Sequence, residues 1–188
     1  TNVPWKETEN LLPISPYASS KLSCEMLGHV YSKLYPMQFI SLRFFTVYGP
    51  RQRPDLAIHK FFDLIVKYKA IPFYGSGDTF RDYTYIDDII KGIEGAILYN
   101  ETPFEIFNLG NNKTISLKDL VHKIEEVVDI KAIINYLPEQ LGDVPQTFAD
   151  ITKAEDKLGY SPKTDLEYGL KEFYHWYKLN NLAMSTPQ

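Results

Sequence analysis

The 188-residue chain is 44% hydrophobic and 23% charged with a net charge of −4, enough apolar material for one domain, or a domain with a small lobe, and too little net charge for a disordered chain. No dense block of Lys and Arg offers a global attraction to nucleic acid or to an anionic membrane, so an anionic ligand must be held by a local site. The lone cysteine, Cys24, can close no internal disulfide, the four histidines lack metal-ligand spacing, no apolar run nears the roughly 20 residues of a membrane span, and residues 1–10 are polar; the expected setting is cytoplasmic.

Residues 1–10 read as loop. Ser15-Pro16 is a helix start, a hydroxyl to cap free amides followed by a proline whose missing N–H costs nothing at the first helical position, and the helix runs to about Leu34, before Pro36. Residues 37–48 form a near-continuous apolar run (Phe39, Ile40, Leu42, Phe44, Phe45, Val47), which predicts a strand buried on both faces of a parallel sheet and ended by Tyr48-Gly49-Pro50. Beyond the charged loop 51–55, the spacing predicts a helix over 58–69, a strand over 71–74 cut by Gly75-Ser76-Gly77, an extended piece at 83–86, and a helix capped by Asp87 and running to about Leu98. Strands at 105–109 and 132–137 alternate with helices at 116–128, 152–158 (closed by Gly159) and 165–179. Such alternation predicts an α/β fold.

Tyr17 and Lys21 stand four residues apart and so share a helix face. An ammonium beside a phenol favours its ionised form, each pKa unit being worth about 1.36 kcal/mol, and a tyrosine so tuned can act as general base or acid on a sugar hydroxyl. Spacing alone says little, because a chain with 14 tyrosines and this many lysines yields roughly one such pair by chance. A second pair, Tyr174 and Lys178, lies beside Trp176 and Tyr177 on the last helix, where a packed aromatic face with a solvated lysine accounts for it. Tyr17 differs in its setting, Ser15-Pro16-Tyr17-Ala18-Ser19-Ser20-Lys21, at the first turn of a helix followed by a buried strand.

Arg43, Arg51, Arg53 and Arg81, the only arginines, all fall within residues 43–81. The guanidinium fork grips phosphate or carboxylate, and three of these four sit in or beside Gly/Pro loops, which points to an anionic ligand, although Arg51 also fits a solvated loop charge. Gly75 and Gly77 permit close backbone approach ahead of Arg81, but they do not make a G-x-G-x-x-G dinucleotide fingerprint, and the sequence contains none. Gly92 and Gly95 read as close-packing positions and Cys24 as a small buried hydrophobe.

Six segments, in order and at regular spacing, carry a resemblance: Ser15 to Lys21; Leu42-Arg43-Phe44-Phe45-Thr46-Val47-Tyr48-Gly49-Pro50 through Asp55; Tyr74-Gly75-Ser76-Gly77 to Arg81-Asp82-Tyr83; Tyr85-Ile86-Asp87-Asp88; Phe107-Asn108-Leu109-Gly110; and Gly142-Asp143-Val144 to Ala149-Asp150. Over nearly its whole length the chain resembles the extended short-chain dehydrogenase/reductases, specifically the NAD-dependent nucleotide-sugar epimerases and dehydratases. Residues 51–57 after Tyr48-Gly49-Pro50, together with Thr46 where many relatives acting on neutral sugars carry Asn, most resemble the UDP-glucuronate 4-epimerases. A hexuronate adds a carboxylate to two phosphates, which suits an extra arginine or hydroxyl.

The resemblance implies a fold and a set of roles. The fold is the C-terminal portion of a Rossmann-type parallel sheet plus a smaller α/β substrate-binding lobe, with residues 1–50 ending the Rossmann domain, 51–188 mainly the nucleotide-sugar lobe, and 82–112 returning to the Rossmann part. Tyr17 would be the catalytic base and acid, with Lys21 its partner at the nicotinamide ribose of NAD and Phe45 beside the cofactor. Thr46 would lie by the sugar, Arg53 and Arg81 at phosphate or carboxylate, Tyr74 against uracil, and Asp143 at the uridine ribose. The implied reaction inverts C4 of a UDP-sugar through a 4-keto intermediate, in a homodimer or otherwise self-associating protein.

A full member of the family opens with a strand, a Gly-rich phosphate loop and a catalytic Ser/Thr ahead of the Tyr-x-x-x-Lys helix, and this sequence has none of them. The 188 residues alone are therefore expected to bind NAD poorly and to be inactive as an epimerase. Leu141 stands where Pro is common, and Glu139 lies near positions that are often basic. Two further readings stay open: a nucleotide-sugar 4,6-dehydratase, and a non-catalytic UDP-sugar-binding or interaction module.

Overall fold

The structure, a computed structural model, describes residues 3–139 and 144–181. Helix α1 (Pro16–Leu34) begins where its sequence predicts: Ser15 is extended, and its Oγ accepts the Ala18 amide at 3.1 Å. It leads into β1 (Phe39–Phe44) and β2 (Thr46–Tyr48), one run interrupted at Phe45. The order continues α2 (Ala57–Val66), β3 (Ala70–Tyr74), β4 (Phe80–Arg81), β5 (Tyr83–Tyr85), α3 (Ile86–Leu98), β6 (Phe104–Leu109), β7 (Ile115–Ser116), α4 (Leu117–Val128), β8 (Ile133–Leu137), α5 (Thr152–Leu158) and α6 (Leu166–Asn181).

Strands pair two by two: β1 with β6, β2 with β5 and β3 with β8 are parallel, while the two-residue β4 and β7 pair antiparallel. Parallel neighbours need crossover connections, which the intervening helices supply. Within residues 39–48 the pairing changes partner. The Phe45 amide donates to the Leu109 carbonyl at 3.1 Å, and the next amide, of Thr46, donates to the Asp82 carbonyl at 3.0 Å. One strand thus borders β6 with its first part and β5 with its second.

Two cores form around this rail. Ile58, Phe61, Phe62 and Ile65 recur at helical spacing on α2 and pack with β3, α4 and α6 into the larger one. The smaller gathers Ile89, Phe107, Leu109, Ala154 and Tyr160 from α3, β6, α5 and the turn after it. Gly92 and Gly95 are close-packing positions, as expected. A Cβ on Gly92 would lie 2.8 Å from Leu109 Cδ1, and one on Gly95 2.6 Å from the Leu158 carbonyl oxygen.

Four local expectations need correction. Strand β1 is half-buried rather than covered on both faces, and Phe44 is 50% exposed, because β6 is its only partner strand among the described residues. Asp87 does not cap α3: Tyr85 holds that position without a side-chain bond, and Asp87 and Asp88 lie in the first turn, where they complement the positive helix end. Helix α2 stops at Val66, earlier than its spacing predicts, and Tyr68 then turns the chain in the left-handed region at φ 53°. Cys24 is exposed, since α1 buries the face carrying Glu25, Gly28 and Ser32, and Cys24 falls just off it. No helix among the described residues is long and apolar enough to cross a membrane.

Candidate functional site

A cleft of about 430 Å³ opens where α2, the end of β3 and β4 meet, and Asp55, Lys60, Tyr74, Gly75, Arg81 and Glu139 line it. Tyr74 is the last residue of β3, in register with Leu137 of β8. Gly75 follows at φ 61° and Gly77 at φ 80°, conformations that favour glycine. The Glu139 side chain lies over Gly75, its Cγ 2.8 Å from where a Cβ would stand. Arg81 donates from Nη1 to the Phe80 carbonyl at 2.8 Å. Asp78, also on the rim, is already engaged: Lys118 Nζ at 2.8 Å and Ser76 Oγ at 2.6 Å hold its carboxyl below the usual range.

A second cavity, about 530 Å³, lies where the strand 39–48 changes partner, and is lined by Phe45 and Thr46 with Trp5, Leu12, Arg43 and Asn108. The N-terminal segment forms one wall. Asn108 Nδ2 donates to the Trp5 carbonyl at 2.9 Å, the Asn108 amide donates to Glu7 Oε1 at 2.9 Å, and the Trp5 ring centroid is 6.2 Å from that of Phe45. The indole Nε1 of Trp5 is buried without a hydrogen-bond partner among the described residues.

The predicted site residues do not converge in one place. Tyr17 is 72% exposed, with the exposed Lys21 ammonium 5.3 Å from its ring centroid, so the expected pair forms, at the surface and outside the linings of both cavities. Phe45 and Thr46 share the second cavity, and Tyr74 and Arg81 share the first. Arg53 stands outside both linings with Nη2 3.3 Å from Asp55 Oδ2. Arg43 is a structural anchor: it donates to both carboxylate oxygens of the buried Glu25, at 2.8 and 2.7 Å, and to the Glu7 carbonyl, tying α1 to β1 and to the N-terminal segment. Arg51 is exposed, in the left-handed region at φ 68°. Asp143 lies outside the described residues. Tyr174 packs against the larger core under Lys178, whose Nζ is 4.5 Å from the ring centroid, as expected of an aromatic face with a solvated lysine.

Sequence reasoning missed four carboxylates or cations. Asp55 and Lys60 reach the first cleft from the start of α2 and Glu139 from beyond β8, a meeting that no local spacing reveals. Asp82 is fully buried, between Arg81 and Tyr83, which both line the first cleft. Its Oδ1 accepts the Asn111 amide at 2.7 Å and the Thr84 hydroxyl at 3.3 Å, and its Oδ2 accepts the Ala149 amide at 3.2 Å. Burial pushes its carboxyl above the usual range despite these donors. Its surroundings, Asp78-Thr79-Phe80-Arg81-Asp82-Tyr83-Thr84, mix charge and hydroxyls with aromatics, so nothing local marks it as a buried acid. Nearby, burial and then the Asp87 charge push Tyr85 up to about 12.

A family model described as GDP-mannose 4,6 dehydratase matches residues 1–173. An uncharacterized protein of Methanocaldococcus jannaschii is 46% identical over 179 residues, 95% of this chain and 55% of that protein. UDP-glucuronate 4-epimerase 2 of Arabidopsis thaliana is 41% identical over 195 residues, 94% of this chain and 45% of its own. The solved structure of UDP-glucuronic acid 4-epimerase from Bacillus cereus, in complex with UDP-glucuronic acid and NAD, superposes with a TM-score of 0.89 at 38% identity, over 95% of this chain and 57% of that one. The chain spans about half the length of the curated relatives it matches.

Proposed function

The chain belongs to the GDP-mannose 4,6 dehydratase family, and from that membership we propose that it is the later, substrate-binding part of an NAD-dependent 4-epimerase acting on UDP-glucuronate. The observation that supports this most is the first cleft, where an aromatic plate (Tyr74), a guanidinium (Arg81) and a glycine backbone meet, a combination suited to a nucleoside diphosphate. Thr46 and Tyr17 then offer a hydroxyl and a phenol for the sugar, with Lys21 beside Tyr17 for the nicotinamide ribose.

In this reading Arg81 binds the diphosphate, Tyr74 the uracil and Asp143 the uridine ribose, while Thr46 and Arg53 take the hexuronate carboxylate. The Tyr17 phenolate takes the proton from the sugar O4 and the resulting phenol returns it, with Lys21 as its partner. The residues fit one end of NAD: Tyr17 and Lys21 are exposed and Phe45 lines an open cavity, so they would hold the nicotinamide end, whereas the sequence has no Gly-rich loop for the pyrophosphate. Bound NAD supplies hydride acceptance and return at C4. Residues 1–50 and 82–112 are assigned to the Rossmann part and the remainder to the substrate lobe of a cytoplasmic, self-associating enzyme, and the 188 residues alone are expected to be inactive.

The test uses a protein that also carries the upstream half. Tyr17→Phe is expected to slow conversion of UDP-glucuronate to its C4 epimer by about 10²- to 10⁴-fold with UDP-sugar affinity preserved, because only proton transfer needs the hydroxyl. Retention of more than a tenth of the turnover overturns the role of Tyr17. A product that has lost water and gained a 4-keto group identifies a dehydratase instead.

A further inference from the structure

We propose that Asp55 is an internal rival of the anionic ligand: its carboxylate pairs with Arg53 and competes with the hexuronate carboxylate for that guanidinium. The inference rests on the assignment of Arg53 to the sugar carboxylate made above.

Asp55 faces two ways. Its Oδ2 is 3.3 Å from Arg53 Nη2, and the residue also lines the first cleft with Lys60, Tyr74 and Arg81. It stands one position before Leu56, the N-cap of α2, and Leu56 provides no side-chain cap. A negative charge is favoured at such a helix start, and Asp55 places one there, in a cleft that Lys60 and Arg81 also line. Of the other acids on the rim, Asp78 is taken up by Lys118 and Ser76, and Glu139 lies across Gly75.

The loop under the pair is fixed, so the exchange falls to side chains. Gln52 donates from its amide to the Gly49 carbonyl at 3.1 Å and from Nε2 to the Val47 carbonyl at 2.9 Å. Its Oε1 accepts the His59 amide at 3.2 Å, and its carbonyl lies 2.6 Å from His59 Nδ1, which clamps the loop to β2 and α2 at once. Arg53 and Asp55, by contrast, have side chains 73% and 67% exposed. An exposed ion pair of this kind shifts an equilibrium by about 1.5- to 5-fold, weak enough for a ligand carboxylate to displace and large enough to measure. A neutral sugar does not recruit Arg53 and leaves the pair intact. Asp55 therefore lowers the preference for the charged sugar, and removing its charge should raise that preference.

Calorimetric titration of the 188-residue chain with UDP-glucuronate and with UDP-glucose reads this as a ratio of affinities. Asp55→Asn is expected to raise the glucuronate-to-glucose ratio by about 1.5- to 5-fold, Arg53→Gln to lower it, and Asp55→Asn to change nothing once Arg53→Gln is present. Circular dichroism melts check that each variant is folded. If Arg53→Gln lowers the ratio but Asp55→Asn leaves it alone, or raises it equally in the absence of Arg53, the proposal is overturned and the hexuronate reading stands. If Arg53→Gln leaves the ratio unchanged, both fall together.

Discussion

Among the described residues, the core built by α2, β3, α4 and α6 with β2 and β5 contains sixteen deeply buried hydrophobic residues, whereas the core between β6, α3 and α5 contains eight. The contrast continues at the surface. In the larger core the apolar stripes of α2 and α4 (Ile58, Phe61, Phe62, Ile65; Leu120, Val121, Ile124, Val128) all find partners inside the chain. Beside the smaller core, α1 presents Leu27, Val30, Tyr31 and Leu34 to solvent, α3 presents Ile90 and Ile97, and β1 has one paired edge among the described residues. These exposed residues recur at helical spacing, so they form stripes rather than scattered contacts. In the reading proposed above, they are the surface onto which the upstream half of the enzyme docks. An apolar pattern in a sequence thus reports the need for cover, and only the fold reveals whether the same chain supplies it.

The comparison breaks most visibly at Phe173. It is fully buried, 5.0 Å from the Phe62 ring, and Phe173→Ala is expected to cost about 3–5 kcal/mol in urea denaturation of the 188-residue chain. A loss below about 1 kcal/mol would mean that the larger core is not the closed unit described.

Asp82 joins the two regions, and Asp82→Asn is expected to cost about 1–3 kcal/mol, since an amide cannot present acceptors to the Asn111 and Ala149 amides together. The effect depends on pH. Burial raises the Asp82 carboxyl above its unfolded value of 3.8, so the folded chain holds the proton more tightly; the contribution is full below that value and is lost as pH rises through the folded value. Asp88 and Glu125 have the opposite sign. Burial pushes each up, but Thr164 and Lys91 outweigh it at Asp88, and Lys131 and Ala132 at Glu125, leaving both lowered from 3.8 and 4.5. Their stabilisation is present above those unfolded values and fades as pH falls through the folded ones. The stability gap between the natural chain and Asp82→Asn should therefore narrow as pH rises from about 4. A gap that widens would show Asp82 held ionised by its donors.

The smallest effects belong to the exposed stripe. Leu27→Ala and Leu34→Ala, at sites 57% and 69% exposed, are each expected to change stability by less than about 0.5 kcal/mol. The pair Leu27→Glu and Leu34→Glu should reduce concentration-dependent light scattering by the chain. Losses matching that of Phe173→Ala would erase the distinction between the regions.

Much of the fold is legible locally. Ser15 and Ser116 cap α1 and α4 through their hydroxyls, and Gly159 closes α5 in the left-handed region, as their residue types predict. What escapes the sequence is what distant segments do to one another. Arg43 reads as a ligand-binding arginine until Glu25, eighteen positions earlier, takes it. The first ten residues read as plain loop, yet Asn108 bonds two of them, Trp5 and Glu7. Strands β4 and β7 are two residues each, too short for any period to register. Of the site, the Tyr17 and Lys21 pair and the contribution of Arg81 were visible, while the acids around the cleft depend on tertiary placement alone.

The run 39–48 has a consequence for length variation. Arg43 is committed to Glu25, the Phe45 amide to Leu109 and the Thr46 amide to Asp82, three obligations within four residues. An inserted or deleted residue here would re-phase everything downstream and could keep at most part of that set. Surface loops without such commitments can lengthen or shorten with far less penalty. Homologues that keep this architecture should align without gaps from Arg43 to Thr46, so gap-free stretches would trace the strand through a family even where residue identities have drifted beyond recognition.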